Sequence, residues 1–386
     1  MSGAVTAREP GRVGALDALR GVAAFLVLTF HCWKTGLVPD PASAWGWRLL
    51  TWTPLNLLIT GRPWVILFFV LSGFVLALSL ERAAAFDYGD FVLRRLCRVY
   101  LPFVASILLS LTLYALVQPR PIPALTAWFN NLAWSRDPTL LMLAQHLFMT
   151  GLEGEDSLNP VMWSLVYELR ISLLFPLLFL AAYRWPCATL SVGIAVYLAA
   201  GWLVGCRDVQ CQPYRGNTYV ESALLTAYFA LFFVIGILLA RWQEPVRQRI
   251  HALAGPVQVL LGLGAVYAMI IPNVPKLMWL APADPLFGLG AAAMIVLAIS
   301  GGAVQAVLEW QPLTWLGKVS YSLYLTHNIV LLAVIHMLFG RVGAAMLLTV
   351  AVAACLLIAA LSWWLVEAPA MWLGRVVSRR WHHRRQ

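Results

Sequence analysis

Charged side chains are what this sequence has least of. Asp, Glu, Lys and Arg make up 11% of its 386 residues, against about 25% in a soluble domain. Together with 61% hydrophobic residues, where soluble domains carry roughly 45–50%, that scarcity excludes an ordinary cytosolic enzyme. Acidic residues are the scarcer sign, 17 against 27 basic. In a membrane protein such an excess points to loop orientation and anionic headgroups before nucleic acid, and none is expected as a partner. Cysteine is sparse as well, six residues without metal-ligand spacing, and no metal site is expected. Cys206 and Cys211 share one polar loop and can bridge in an oxidising compartment, while Cys32, Cys97, Cys187 and Cys355 are scattered singly. Polar stretches long enough for a large soluble domain are also missing. At about 20 residues per span, the length allows roughly ten to twelve membrane helices.

Apolar runs bounded by Pro, Gly and charge predict spans near residues 14–33, 62–80, 99–117, 161–183 and 188–205. Five more follow near 219–240, 256–272, 285–304, 319–339 and 343–366. The apolar stretch Leu140 to Leu152 is too short to cross and reads as re-entrant or interfacial. With that parity, the loops and tails on the side of the N-terminus hold more Lys and Arg than the opposite loops, which supports both termini in the cytoplasm. The expected fold is therefore all-α, a polytopic membrane helix bundle of about ten helices. A membrane domain spans 1–370, a basic cytoplasmic tail spans 371–386, and no appended soluble domain is expected. The first span is long and carries Arg20 and His31, unlike a cleaved signal peptide. The tail from Arg375 to Arg385 reads as an anchor on anionic headgroups, with His382 and His383 solvated.

Ionisable residues inside spans default to function or to a partner in the bundle. Arg20 and His31 are eleven residues apart, about 16 Å along a helix and on nearly the same face. Arg20 can instead snorkel toward Asp17, and His31 can donate to a neighbouring helix. Glu168, in the oppositely directed fourth span, lies at a depth matching that of His31. A carboxylate there can hold the imidazole in one tautomer, as a general base requires; neutralisation by Arg170, Ser164 or Ser172 is the alternative. Arg94 and Arg98, one helical turn apart, form with Arg95 a trident able to hold several phosphates, or simply an inside-facing topology signal. Ser72 and Gly73 interrupt the second span, where close helix approach is the ordinary explanation. Ser320-Tyr321-Ser322-Leu323-Tyr324-Leu325-Thr326-His327 carries more hydroxyl groups than packing needs. His336, His146 and His251 read as packing, interfacial and loop histidines.

In this order the segments resemble the acyltransferase type 3 family of integral-membrane acyltransferases. The resemblance rests on Leu16-Asp17-Ala18-Leu19-Arg20-Gly21 leading to His31, on Phe68 to Phe74, and on Arg94, Arg95 and Arg98 with Pro102. It continues through Trp163-Ser164-Leu165 with Glu168 and Pro176, Tyr321 to His327, and Glu367 with Pro369. The resemblance implies a ten-helix bundle that takes an acyl group from cytoplasmic acyl-coenzyme A, acetyl-coenzyme A by default. It passes that group to a hydroxyl of a sugar in an envelope polysaccharide, glycolipid or exported metabolite. It further implies that Arg20 and His31 are the central pair, that the basic cluster lies at the coenzyme A entrance, and that the chain sits in the cytoplasmic membrane. Leu169-Arg170-Ile171-Ser172 departs from the aromatic residues many members carry after the Glu.

The expected mechanism follows the vertical order of these groups. Arg94, Arg95 and Arg98 hold the coenzyme A phosphates, and Arg20 guides the pantetheine arm or the thioester. His31, oriented by Glu168, deprotonates the acceptor hydroxyl or forms a transient acyl-histidine. Ser72, Tyr324 and His327 donate to the tetrahedral oxyanion. The competing class is a transporter or flippase, since buried charges also mark substrate paths, although no inverted repeat is visible.

Overall fold

The computed structural model describes residues 14–83, 86–152, 157–206, 211–274 and 283–383. Among the described residues, nine helical runs are long and apolar enough to cross a membrane. They are α1 (Gly14–Lys34), α2 (Arg62–Glu81), α3 (Tyr88–Val117), α4 (Met162–Arg184), α5 (Pro186–Leu203), α6 (Tyr219–Arg241), α7 (Gly255–Asn273), α9 (Gln311–Leu338) and α10 (Ala344–Ser378). A shorter apolar helix, α8 (Ala283–Ile299), completes ten. Helices are the expected solution because a chain in hydrocarbon must satisfy its own backbone hydrogen bonds. Pro63 and Pro186 sit at the first turns of α2 and α5, where a missing N–H costs nothing. α9 starts eight residues before the expected 319, and the run that includes α10 stays helical to His383, so residues 384–386 of the tail lie outside the described chain.

α1 packs along α9, and two glycines set how closely. A Cβ at Gly21 would strike the backbone of Gly317, and one at Gly317 would strike that of Asp17. From this crossing, His31 lies ten residues up α1 and His327 ten residues up α9. Two imidazoles far apart in sequence thus arrive at one level. Gly73 plays the part expected of it, bringing α2 onto Phe233 of α6.

Two π-helical segments interrupt the regular helices, Leu96–Tyr100 within α3 and Trp363–Glu367 within α10. The first corrects the expected trident. A π turn carries an extra residue and rotates the helix beyond it, so Arg94 and Arg98 are not the stacked pair that a uniform α-helix would give. Arg94 stays outside with its side chain 54% exposed and pairs with Asp90, whereas Arg95 turns into the bundle with 9% exposure.

The segment Leu140–Leu147 is a short helix that packs on the bundle through Met142 and His146 and leaves Leu140 and Leu141 exposed. Tyr100 Oη donates to Leu147 O (2.8 Å), and Arg170 donates to Met149 O (3.1 Å) and Thr150 O (2.9 Å). Backbone carbonyls packed against protein need partners, and Arg170 supplies them here. His146 is fully buried in the protein: Nδ1 bonds Met142 O (2.8 Å), and Nε2 accepts from the Leu158 N–H (3.2 Å). Cys206 and Cys211 are joined by a disulfide.

Candidate functional site

His31 Nδ1 lies 2.7 Å from His327 Nε2, with the rings edge to edge, their centroids 4.9 Å apart and their planes 17° from parallel. His327 Nδ1 lies 3.0 Å from the Leu323 carbonyl, one turn back on α9. A carbonyl only accepts, so Nδ1 of His327 carries its proton and the neutral ring offers Nε2 as an acceptor. His31 must then donate from Nδ1, which leaves the lone pair on its own Nε2. This assignment follows from the hydrogen-bond network. One face of His31 lies toward Trp128, whose ring is nearly parallel at 5.2 Å, from the short helix Ala127–Leu132.

Beneath this pair lies a cavity of about 30 Å³, with room for about two waters. Arg20, Ser72, Ser164, Glu168, Tyr321 and Tyr324 are its polar lining, and Val65, Phe68, Phe69 and Leu165 are among its apolar walls. Ser72 Oγ donates to Glu168 Oε1 (3.1 Å), and Ser164 Oγ meets Tyr324 Oη at 2.6 Å. Arg95 reaches the same Glu168 oxygen at 3.6 Å and donates to Ser172 Oγ (2.9 Å). Lower still, Glu367 accepts from Ser322 Oγ (2.7 Å) and faces Arg98 and Arg20. Tyr321 Oη donates to Val99 O, inside the π segment of α3 (2.7 Å).

The expected residues thus divide into two groups. His31, His327 and Tyr324 come together at the upper level, with the Tyr324 and His327 rings 6.0 Å apart. Arg20, Glu168, Ser72, Arg95 and Arg98 gather around and below the cavity. The expected orienter of His31 is corrected: its partner is His327, while Glu168 is engaged by Ser72 and Arg95, because the equal offsets from the α1–α9 crossing bring the two imidazoles together. Both nitrogens of His327 are occupied, so it has no proton to give an oxyanion.

Reasoning limited to ionisable groups misses Asn328 and Asn159. Both side-chain polar atoms of buried Asn328 lack a hydrogen-bond partner among the described residues, as does Oδ1 of Asn159. Asn328 follows His327 and shares a helical stripe with Tyr321 and Tyr324. An unpaired buried polar group costs about 1–3 kcal/mol, so this amide is a candidate to meet substrate. A polar residue on the stripe of two cavity tyrosines was the available signal.

The acyltransferase domain family matches residues 13–367. Over 383 aligned residues the chain is 26% identical to "Acyltransferase MdmB" of Streptomyces mycarofaciens, covering 91% of this chain and 87% of that protein. It is 25% identical to "Nodulation protein 10" of Rhizobium leguminosarum bv. viciae, with 96% of each chain covered. It is also similar to "O-acetyltransferase PaAT-1" of Phomopsis amygdali, 31% identical over 44% of this chain; there the match spans only 40% of the relative's length. No solved structure matches the chain.

Proposed function

The chain belongs to this acyltransferase family and is a multi-pass membrane acyltransferase, and on that premise we propose that its donor is cytoplasmic acyl-coenzyme A, acetyl in the simplest case. The acceptor is a hydroxyl of a sugar in an envelope polysaccharide, glycolipid or exported metabolite, and the membrane is the cytoplasmic one. The observation that carries the reading is the imidazole pair. A general base needs one nitrogen held and the other open. His31 has Nδ1 held by His327 at 2.7 Å and Nε2 left as the lone pair.

His31 Nε2 takes the proton of the acceptor hydroxyl as its oxygen attacks the thioester carbonyl. The tetrahedral intermediate collapses with cleavage of the C–S bond, and the coenzyme A sulfur leaves with the proton returned by His31. An acyl group carried transiently on the same nitrogen gives the same net transfer. Tyr324, beside His327, is the hydroxyl best placed for the oxyanion, and Arg20 guides the pantetheine arm through the cavity. His327 orients His31. Glu168 and Ser72 shape the cavity wall with Arg95 behind Glu168, and Arg98 receives the phosphates at the lower end.

Purified protein supplied with labelled acetyl-coenzyme A and a hydroxyl acceptor should form a labelled ester. His31→Ala should lower that rate by roughly 10²–10⁴. Near-normal turnover of His31→Ala removes the base from the mechanism. Movement of the acceptor into vesicles without any ester would mean transport instead.

A further inference from the structure

A second concavity opens at the other end of α3 from the arginine segment. It has a volume of about 340 Å³, within the range of small-molecule sites. Phe129, Trp134 and His336 line its depth, and Arg120, Arg136 and Asp137 lie along its edge. The aromatic lining is fixed. His336 stacks on Phe129 at 5.1 Å, and its Nδ1 bonds Leu332 O (2.9 Å). Trp134 is held at φ +55°, a left-handed conformation a tryptophan rarely adopts, with Nε1 on Ser110 Oγ (2.9 Å) and its N–H on Ser157 O (2.9 Å). Strained residues persist where the surroundings over-determine them, commonly at ligand sites. Asp137 is anchored through one oxygen by Tyr114 Oη (2.5 Å), which leaves the other as an acceptor.

This cleft adjoins the imidazole pair through one short helix. In Ala127–Leu132, Trp128 covers His31 while the next residue, Phe129, stacks on His336. The helix is pinned to the end of α1 by Thr126 Oγ1, which donates to Lys34 O (2.6 Å). His327 and His336 lie nine residues apart on α9, about 13 Å along its axis. A molecule anchored in the cleft therefore reaches His31 only if it is extended.

We propose that this cleft anchors the distal end of the acceptor, a ring-bearing polyol with an anionic substituent. Ring faces lie against Trp134 and Phe129, a hydroxyl donates to Asp137, and Arg120 and Arg136 hold the anion. The proposal rests on the acyl-transfer function and assigns its acceptor class.

The test uses the full chain in phosphatidylcholine nanodiscs, with glucose 6-phosphate as the anionic probe and glucose as its neutral counterpart. Hydrogen exchange over residues 119–137 should slow with the phosphate at concentrations where glucose does nothing. Arg120→Ala/Arg136→Ala should weaken that protection about tenfold or more, and the double lysine variant should restore part of it. His31→Ala should keep it in full, so a failed base assignment and a failed cleft assignment give different results. No protection by glucose 6-phosphate, or equal protection in the alanine variant, overturns the proposal. So does protection by phosphatidylglycerol in the disc that glucose 6-phosphate cannot displace, which would make the cleft a headgroup site.

Discussion

Among the described residues, two buried arginine–carboxylate pairs are built to opposite standards. Arg62 meets Asp284 through two bonds (2.7 and 2.5 Å), donates a third to Pro213 O (2.8 Å), and lies against the rings of Tyr214 and Phe229. Asp284 takes a further bond from Tyr228 Oη (2.8 Å). Arg95 instead stands 3.6 Å from Glu168, with its Nε lacking a partner among the described residues. A buried pair recovers its desolvation cost only when geometry is good and the remaining polar atoms are satisfied. The first pair meets that standard and lines neither the cavity beneath His31 nor the cleft of Trp134. The second falls short of it, and its Glu168 is on the wall of the cavity that Arg20 lines. Slack in a buried ion pair is a cost to stability that a substrate can relieve, and the proposed function makes the second pair a working part where the first is a structural clamp.

Breaking the clamp should have the largest effect. Asp284→Ala leaves Arg62 charged and alone, at a cost of about 3–5 kcal/mol, visible as lost folded protein on size exclusion and a lowered thermal midpoint. Replacing both partners with apolar residues of similar volume, Arg62→Met with Asp284→Leu, should recover the folded protein and most of its transfer rate. The same exchange at the slack pair, Arg95→Met with Glu168→Leu, should leave the midpoint near that of the parent and lower acetyl transfer by about 10²-fold. If both double variants behave alike, the comparison fails and Arg95 is another clamp.

The difference also marks where the sequence was readable. Hydropathy located the spans, because the requirement for about 20 apolar residues is local. The shared face of Arg20 and His31 is likewise a property of one helix. The clamp is hidden in the sequence because Arg62 and Asp284 stand at the edges of apolar runs, where a charge looks like an interfacial anchor. The His31–His327 pair depends on where α1 crosses α9, and equal offsets from Gly21 and Gly317 mean nothing until those glycines are known to touch. The π segments are harder still: one added residue in a turn leaves the hydrophobic pattern nearly unchanged, yet it alters the register between Arg94 and Arg98. Depth alone matched Glu168 with His31; the lateral position of a helix, which sequence does not carry, gave Glu168 to Arg95.

Arg94, before the π segment, and Arg98, within it, offer the smallest effect and a sharper division. Arg94 is exposed and paired with Asp90 one turn back, an arrangement worth about 0–1 kcal/mol at a surface. Arg98 lies inside the π turn, near enough to Glu367 and Tyr321 to act on them electrostatically. A uniform α-helix would have made them equivalent, two prongs on one phosphate. With the register shifted, Arg98→Ala should raise the KM for acetyl-coenzyme A about tenfold, as expected for a lost charge-assisted bond. Arg94→Ala should raise it only about twofold, an increment that fades with added salt because an exposed charge is screened within about 10 Å at 0.1 M. Steady-state kinetics of the two single variants at low and high salt separates the cases. Equal and equally salt-sensitive KM changes would restore the trident, whereas a large salt-resistant change confined to Arg98 would mean that the π turn carries one arginine into the site and leaves the other at the surface.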